Sequence, residues 1–173
     1  MALHDVTIRD AARTILLAAG TIAGARVQRE WIDNPPDSDM PRLSVMADSS
    51  AQSLSAAGGA PIFEVTGDLV IVAQVAEAHE DDAIDALDQL AEQARDALLC
   101  SPSFFALAAV KSWRVVRTFK NTGKLIIGDC RIILSLGWQE KFQPVIADLP
   151  IFTGADIHSG AGPAIGADVI INS

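Results

Sequence analysis

The chain reads as an α+β protein: a mostly antiparallel sheet with two principal helices packed against it, plus an extended Gly/Pro-rich C-terminal arm. Three observations predict this. Apolar residues recur at helical spacing in two separated stretches, residues 7–19 and 80–99. β-prone segments lie on both sides of the second stretch. The resulting order of helix, strands, helix, strands lacks the regular alternation of a doubly wound fold and suits helices layered on an antiparallel sheet.

The first helix is expected over residues 7–19. Thr7 and Asp10 stand in a capping relation, and Ile8, Ala11, Ala12, Ile15, Leu16 and Ala19 share one face. Gly20 and Gly24 end it. Residues 26–32 can be extended, with Val27 and Trp31 on one side and Gln28, Glu30 and Ile32 on the other, a mixed pattern that suits a strand near a sheet edge. Residues 34–41 hold three prolines and cannot continue a ladder. A short strand follows at 42–46. The polar, Ser-rich residues 48–60 then read as a loop whose length suggests a functional or disordered segment.

Residues 63–76 form the clearest strand, with Phe63, Val65, Leu69, Ile71, Ala73 and Val75 on one face. In the second helix Ile84, Leu87, Leu90, Ala91, Ala94 and Leu98 make one stripe, and Asp85, Asp88, Glu92 and Asp96 lie outside it. Ser101 and Pro102 stop that helix. Two strands follow, 111–119 and 124–138, joined by a turn at residues 121–123. Prolines and glycines then interrupt the chain, with β-prone patches at 148–152 and 167–171. The expected organisation is one domain over residues 1–141 and an extension or arm over 142–173. The patch 167–172 is apolar enough to add a strand to an open sheet edge on a neighbour, or to be a packed final strand.

Composition narrows the function. The 173 residues suffice for one well-buried domain. No run approaches the roughly 20 apolar residues that span a bilayer, and the N-terminus lacks the pattern of a secretory leader, so a soluble protein made in the cytoplasm is expected. Cys100 and Cys130 have no metal-ligand spacing and read as small core residues. A net charge of −9 argues against a nucleic-acid-holding surface. That total hides a separation. Residues 77–100 carry eight acids against Arg95 alone, whereas residues 111–141 carry seven Lys and Arg against Asp129 and Glu140. This pattern is either a solvated helix face beside an ordinary strand surface, or one subunit's acidic face meeting another's basic face.

The residues offer little chemistry. His4, His79 and His158 are scattered, and His79 beside Glu80, Asp81 and Asp82 reads as a helix start before it reads as a weak cation site. No nucleophile elbow, local Cys–His pair or phosphate-binding loop occurs; the Gly-rich run 160–166 has the wrong spacing for a dinucleotide loop. The acids of the second helix are too exposed to set paired carboxyl pKa values apart. No catalytic group, cofactor or metal is expected. An enzyme or ligand-binding domain would have only Asp129, Arg131 and Trp113 to build on.

The Arg26-Val27 pair, the loop ending in Pro41 before residues 43–46, the small-residue loop 58–61 before 63–76, the acidic helix and the closing hairpin resemble the tail terminator proteins of long-tailed bacteriophages. The resemblance covers roughly residues 5–140. It implies a structural virion protein of the tail's head-proximal end, assembled in the host cytoplasm. The protein would form a ring, in that family a homo-hexamer, that ends polymerisation of the tail tube and offers a docking surface to the head connector. Its partners would be further copies of itself, the tail tube protein and a head-completion protein, with DNA passing through the lumen unread and no membrane involved. Another ring-forming tail or neck component is the nearest alternative. The interface candidates are Arg26, Arg29 and Arg42 flanking the Pro-rich loop, Trp31 and Met40 as apolar anchors, and Asp85, Asp88 and Glu92 on the acidic helix, which would contact a neighbour or line the lumen. Residues 49–60 are the candidate for a segment that orders on docking.

Overall fold

The computed structural model describes residues 4–33, 35–55 and 62–141, the side chains of 51–55 aside, and the backbone of 156–159 and 167–170. The chain divides into two units, Met1–Phe142 and Gln143–Ser173. The first unit is an α+β layer. Its elements are α1 (His4–Ala18), β1 (Val27–Gln28), a 3-10 turn (Asp37–Asp39), β2 (Arg42–Ser55), β3 (Ile62–Glu77), α2 (Glu80–Leu99), α3 (Pro102–Phe105), β4 (Ala109–Asn121) and β5 (Ile126–Lys141).

The strands form one sheet in the order β1-β2-β3-β5-β4, antiparallel throughout except for the parallel contact of β1 with β2. Strand alternation sorts its side chains. Leu43 and Val45 of β2, Leu69, Ile71, Ala73 and Val75 of β3 and Cys130, Ile132, Leu134 and Leu136 of β5 share one face and are buried. All three helices close over that face. Ile8, Ala12 and Leu16 of α1, Leu87, Leu90, Ala94 and Leu98 of α2 and Phe104 of α3 complete a single core. Among the described residues the other face carries no α-helix; a strap that begins at residues 30–32 meets it at Arg42, Gln74 and Arg131.

Several elements differ from their sequence expectation, each for a local reason. α1 begins at His4, so Thr7 lies inside the helix and does not cap it. The expected strand over residues 26–32 contracts to Val27–Gln28 at the sheet edge. Beyond it the chain crosses the sheet, where Trp31 meets Arg131 and the Ile32 carbonyl accepts from Gln74. The Ser-rich segment is not a loop as far as Ser55. It lengthens β2 to 14 residues and pairs with β3 from Arg42↔Gln74 to Ser55↔Ile62. Ser49 and Ser50 are exposed, and no apolar alternation marks this part of the strand. The docking segment expected at 49–60 is therefore strand over 49–55, and 56–60 lie outside the described residues. Gly67 is required where this hairpin pinches: a Cβ there would sit 2.4 Å from the Asp48 carbonyl oxygen.

α2 follows its expected stripe, with Ala83 fully buried in place of Ile84. Cys130 is a core residue, but Cys100, just past the end of α2, is exposed. The chain then re-enters a helical turn at α3, where the Ser101 hydroxyl caps Phe104 N–H at 3.4 Å and Pro102 occupies the first turn. The β4–β5 turn is fixed by Gly123 at φ +86°, whose N–H donates to Asn121 Oδ1 at 2.7 Å.

In the second unit β6 (Asp156–Ser159) and β7 (Ala167–Ile170) pair antiparallel, from Asp156↔Ile170 to Ser159↔Ala167. The patch expected at 148–152 and the Gly-rich run 160–166 lie outside the described residues.

Candidate functional site

The charged groups gather at two places. The first is the β1 edge. Arg13 of α1 donates from Nε to the Val27 carbonyl at 2.9 Å, holding the short strand to the helix. Arg29, just beyond β1, is exposed and pairs with Asp10 Oδ2 at 3.1 Å, and Arg9 takes the other oxygen of the same carboxylate at 3.2 Å. Arg26 precedes the strand, and its Nε is buried without a partner. A cleft of about 460 Å³ opens here, walled by Arg13, Val27, Gln28, Arg29 and Glu30.

Behind that cleft lies Arg42. The sequence reads it as strand-surface charge or a cation reaching a neighbour, yet its exposure is 0%. Its Nη2 donates to Gln28 Oε1 at 3.0 Å and to the Glu30 carbonyl at 3.5 Å, both neutral acceptors belonging to cleft residues. Nε and Nη1 have no partner. Arg42, Gln74 and Asp129 stand in one row across β2, β3 and β5, and Gln74 Nε2 donates to Asp129 Oδ1 at 2.9 Å while Gln74 Oε1 is unmatched. Ser44 Oγ and Trp31 Nε1 are also buried and unmatched. Of the unmatched buried side-chain atoms among the described residues, only Thr21 Oγ1 lies outside this layer. The layer is rich in donors and poor in acceptors, an environment that favours an anionic neighbour. Met40, a predicted anchor, is 8% exposed and so is buried within the chain, while Trp31 is half-buried with the Arg131 guanidinium 5.3 Å from its ring centroid.

The second place is the outward side of α2. Asp85, Asp88 and Glu92 are exposed, as expected. Part of the expected complementarity is satisfied inside the chain: Arg117 of β4 pairs with Asp88 at 2.6 Å, and Arg95 pairs with Asp96 at 2.8 Å and with Glu92 at 3.5 Å. Arg95 also lies over Trp113, 5.7 Å from the ring centroid. Asp85 has no ion-pair partner among the described residues. β4 is the far edge strand and exposes Trp113, Val116 and Phe119 by 42–50%.

The Asp129, Arg131 and Trp113 grouping is not assembled. Asp129 and Arg131 point to the strapped face, whereas Trp113, in register with buried Leu134, points to the helix face. His4 is structural, its Nε2 2.9 Å from the Leu107 carbonyl and its ring 5.2 Å from that of Trp138. His79 occupies the N-cap position of α2 without a side-chain capping bond. Among the described residues no group of three or more His, Cys, Asp or Glu is placed to hold a metal ion. No helix there is long and apolar enough to cross a membrane.

Sequence reasoning reached Arg26, Arg29 and Arg42 but missed Arg9 and Arg13. Their i,i+4 spacing on α1 was the available signal; only tertiary folding brings that helix beside β1.

No protein-family model matches the sequence, and no curated protein matches it. A solved chain from the virion of a native gene transfer agent particle superposes with a TM-score of 0.41 at 14% identity, over 79% of this chain and 100% of that one. At that distance the likeness assigns neither fold family nor role.

Proposed function

We propose that the protein is a structural component of a phage-like virion, a tail terminator that forms a ring on the head-proximal end of the tail tube. There it ends tube polymerisation and offers a surface to the head connector. The observation that carries this reading is the element order from His4 to Lys141: helix, short edge strand just after Arg26, Pro-rich strap, long hairpin, acidic helix, long hairpin. It keeps the element order on which the sequence resembles that family, with the short strand of that pattern lengthened to 14 residues. The separation of acidic and basic surfaces adds support, because a ring needs two different, complementary patches on each subunit. The reading requires no catalytic group, cofactor or metal.

The test is the mass of the purified protein by light scattering, followed by electron microscopy with purified tail tubes. Closed rings, six-fold if the family stoichiometry applies, and densities capping one end of each tube are expected. A protein that stays monomeric and ignores tube ends would overturn the reading. Rings that ignore tubes but bind the portal side would make it a different neck component.

A further inference from the structure

The cleft at the β1 edge is under-compensated among the described residues: Glu30 is the one acid in its wall, beside Arg13 and Arg29, and it pairs with neither. Five arginines (Arg9, Arg13, Arg26, Arg29 and Arg42) surround a two-residue strand, and Asp10 is the single acid that ion-pairs with any of them among the described residues. The strap contributes Asp33, Asp37 and Asp39, and none of the three pairs with these arginines. Arg42 makes the imbalance acute. A guanidinium does not deprotonate in a protein, and one that is fully buried on neutral acceptors pays for its desolvation without a Coulombic return. Its two unmatched donors, the buried Arg26 Nε and the unmatched Trp31 Nε1 all belong to this edge or the strap beside it.

The complementary surface exists on the same chain but out of reach. α2 packs on β3 and β5 of a sheet whose order is β1-β2-β3-β5-β4, and it reaches β4 through Asp88 and Arg117. β3 and β5 lie two and three strand spacings from β1, about 10–14 Å, and the Asp88–Arg117 pair turns the acidic side of α2 toward β4, away from the β1 edge. Eight acids against one arginine over residues 77–100 leave that helix with negative charge that β4 only partly cancels.

We propose that the arginine cleft at the β1 edge of one copy receives the acidic outward face of α2 from the next copy. This rests on the ring reading above and deepens it by naming the two patches. Arg13 and Arg29 are the groups that meet the incoming carboxylates of Asp85 and Glu92. Arg42 and Arg26, behind them, supply a fixed positive potential in a region shielded from water. Because the two patches are different surfaces of the same chain, the contact propagates head to tail and ends only when the rotation closes a ring. The acidic helix is thereby assigned to the contact between copies and not to a lumen lining.

Charge reversal tests this on the full chain. One variant carries Arg13→Glu and Arg29→Glu; the other carries Asp85→Arg and Glu92→Arg. Light scattering at low salt should give the wild-type protein an assembled mass and each variant alone a monomeric one. An equimolar mixture should regain assembly, because each reversed patch now meets a reversed partner. Recovery in the mixture also shows that neither variant had lost its fold. If the wild type assembles and both variants assemble equally well alone, the contact lies elsewhere and the inference falls while the ring reading stands. If the variants are monomeric alone and in the mixture, with circular dichroism matching wild type, the pairing of these two patches is wrong. If the wild type itself is monomeric at every concentration and salt, the ring reading falls and takes this inference with it.

Discussion

At the scale of single residues, Arg42 and the two cysteines show burial deciding behaviour that residue type alone does not. A buried guanidinium whose partners are Gln28 Oε1 and a main-chain carbonyl is a net cost to the monomer. Replacing a buried, poorly compensated charge by an apolar side chain of similar volume is commonly neutral or stabilising by about 1–4 kcal/mol. Arg42→Met is therefore expected to leave the urea-unfolding midpoint unchanged or to raise it, while weakening any self-association. A midpoint lowered by the equivalent of more than about 1 kcal/mol would mean that the charge is better compensated than its hydrogen bonds indicate. The cysteines divide differently. Cys100 is exposed and Cys130 buried. Burial pushes the Cys130 thiol above its usual range, with Arg117 opposing and Asp88 reinforcing the shift. A thiol reagent should label one of the two cysteines in the native protein and the second only on unfolding. The sign of the pH effect follows from linkage. Because the folded-state pKa is raised, the stability held by the neutral thiol is whole below the ordinary thiol value, about 8.5, and is lost as pH rises through the folded value. Thermal melts should thus show an alkaline loss of stability that is smaller in Cys130→Ala than in the parent.

At the scale of elements, the strength of a side-chain period decided what could be read from sequence. β3, β5 and α2 each bury a full stripe, and their identity and facing were legible from alternation and 3.6-residue spacing. The far half of the β2–β3 hairpin offers no such pattern in its sequence. Serines at 49, 50, 53 and 55 carry no period, and only cross-strand pairing with β3 makes that segment a strand. α3 was hidden for another reason: its four residues are too few to show a period, and the Ser-Pro start that defines it read as a stop. The site was half legible. Composition flagged the arginines around the Pro-rich loop, but not that Arg42 is roofed by the strap or that α1 delivers Arg9 and Arg13. Charge separation between α2 and the later strands was also visible, yet its partial closure within one chain was not, because register alone sets Arg117 beside Asp88. That pair is half-exposed on both sides, 47% and 50%, so solvent screens it. A double-mutant cycle with Asp88→Asn and Arg117→Gln should give a coupling of about 0.2–1 kcal/mol that declines with added salt. A larger, salt-insensitive coupling would show that α2 and β4 depend on the pair for docking.

At the scale of the whole molecule, the net charge of −9 and the local patches act over different distances, and salt separates them. A folded unit the length of Met1–Phe142 has a radius of gyration of about 14 Å, so touching copies of it have centres some 30 Å or more apart. The Debye length is about 30 Å at 0.01 M salt, about 10 Å at 0.1 M and about 3 Å at 1 M. At the lowest salt the like net charges still repel across the full separation of the copies, opposing association. By 0.1 M that repulsion is largely screened, whereas carboxylates within a few ångströms of Arg13 and Arg29 still feel them. At 1 M even the short contacts weaken. The assembled fraction at fixed protein concentration is therefore expected to pass through a maximum near 0.1 M salt, read by light scattering or sedimentation velocity. An assembled fraction that only rises with salt would point to an apolar contact, for which exposed Trp113, Val116 and Phe119 on β4 are the first residues to substitute. One that only falls would mean that local attraction exceeds net repulsion even at long screening length, and the arginine cleft would then carry more of the binding than the net charge opposes.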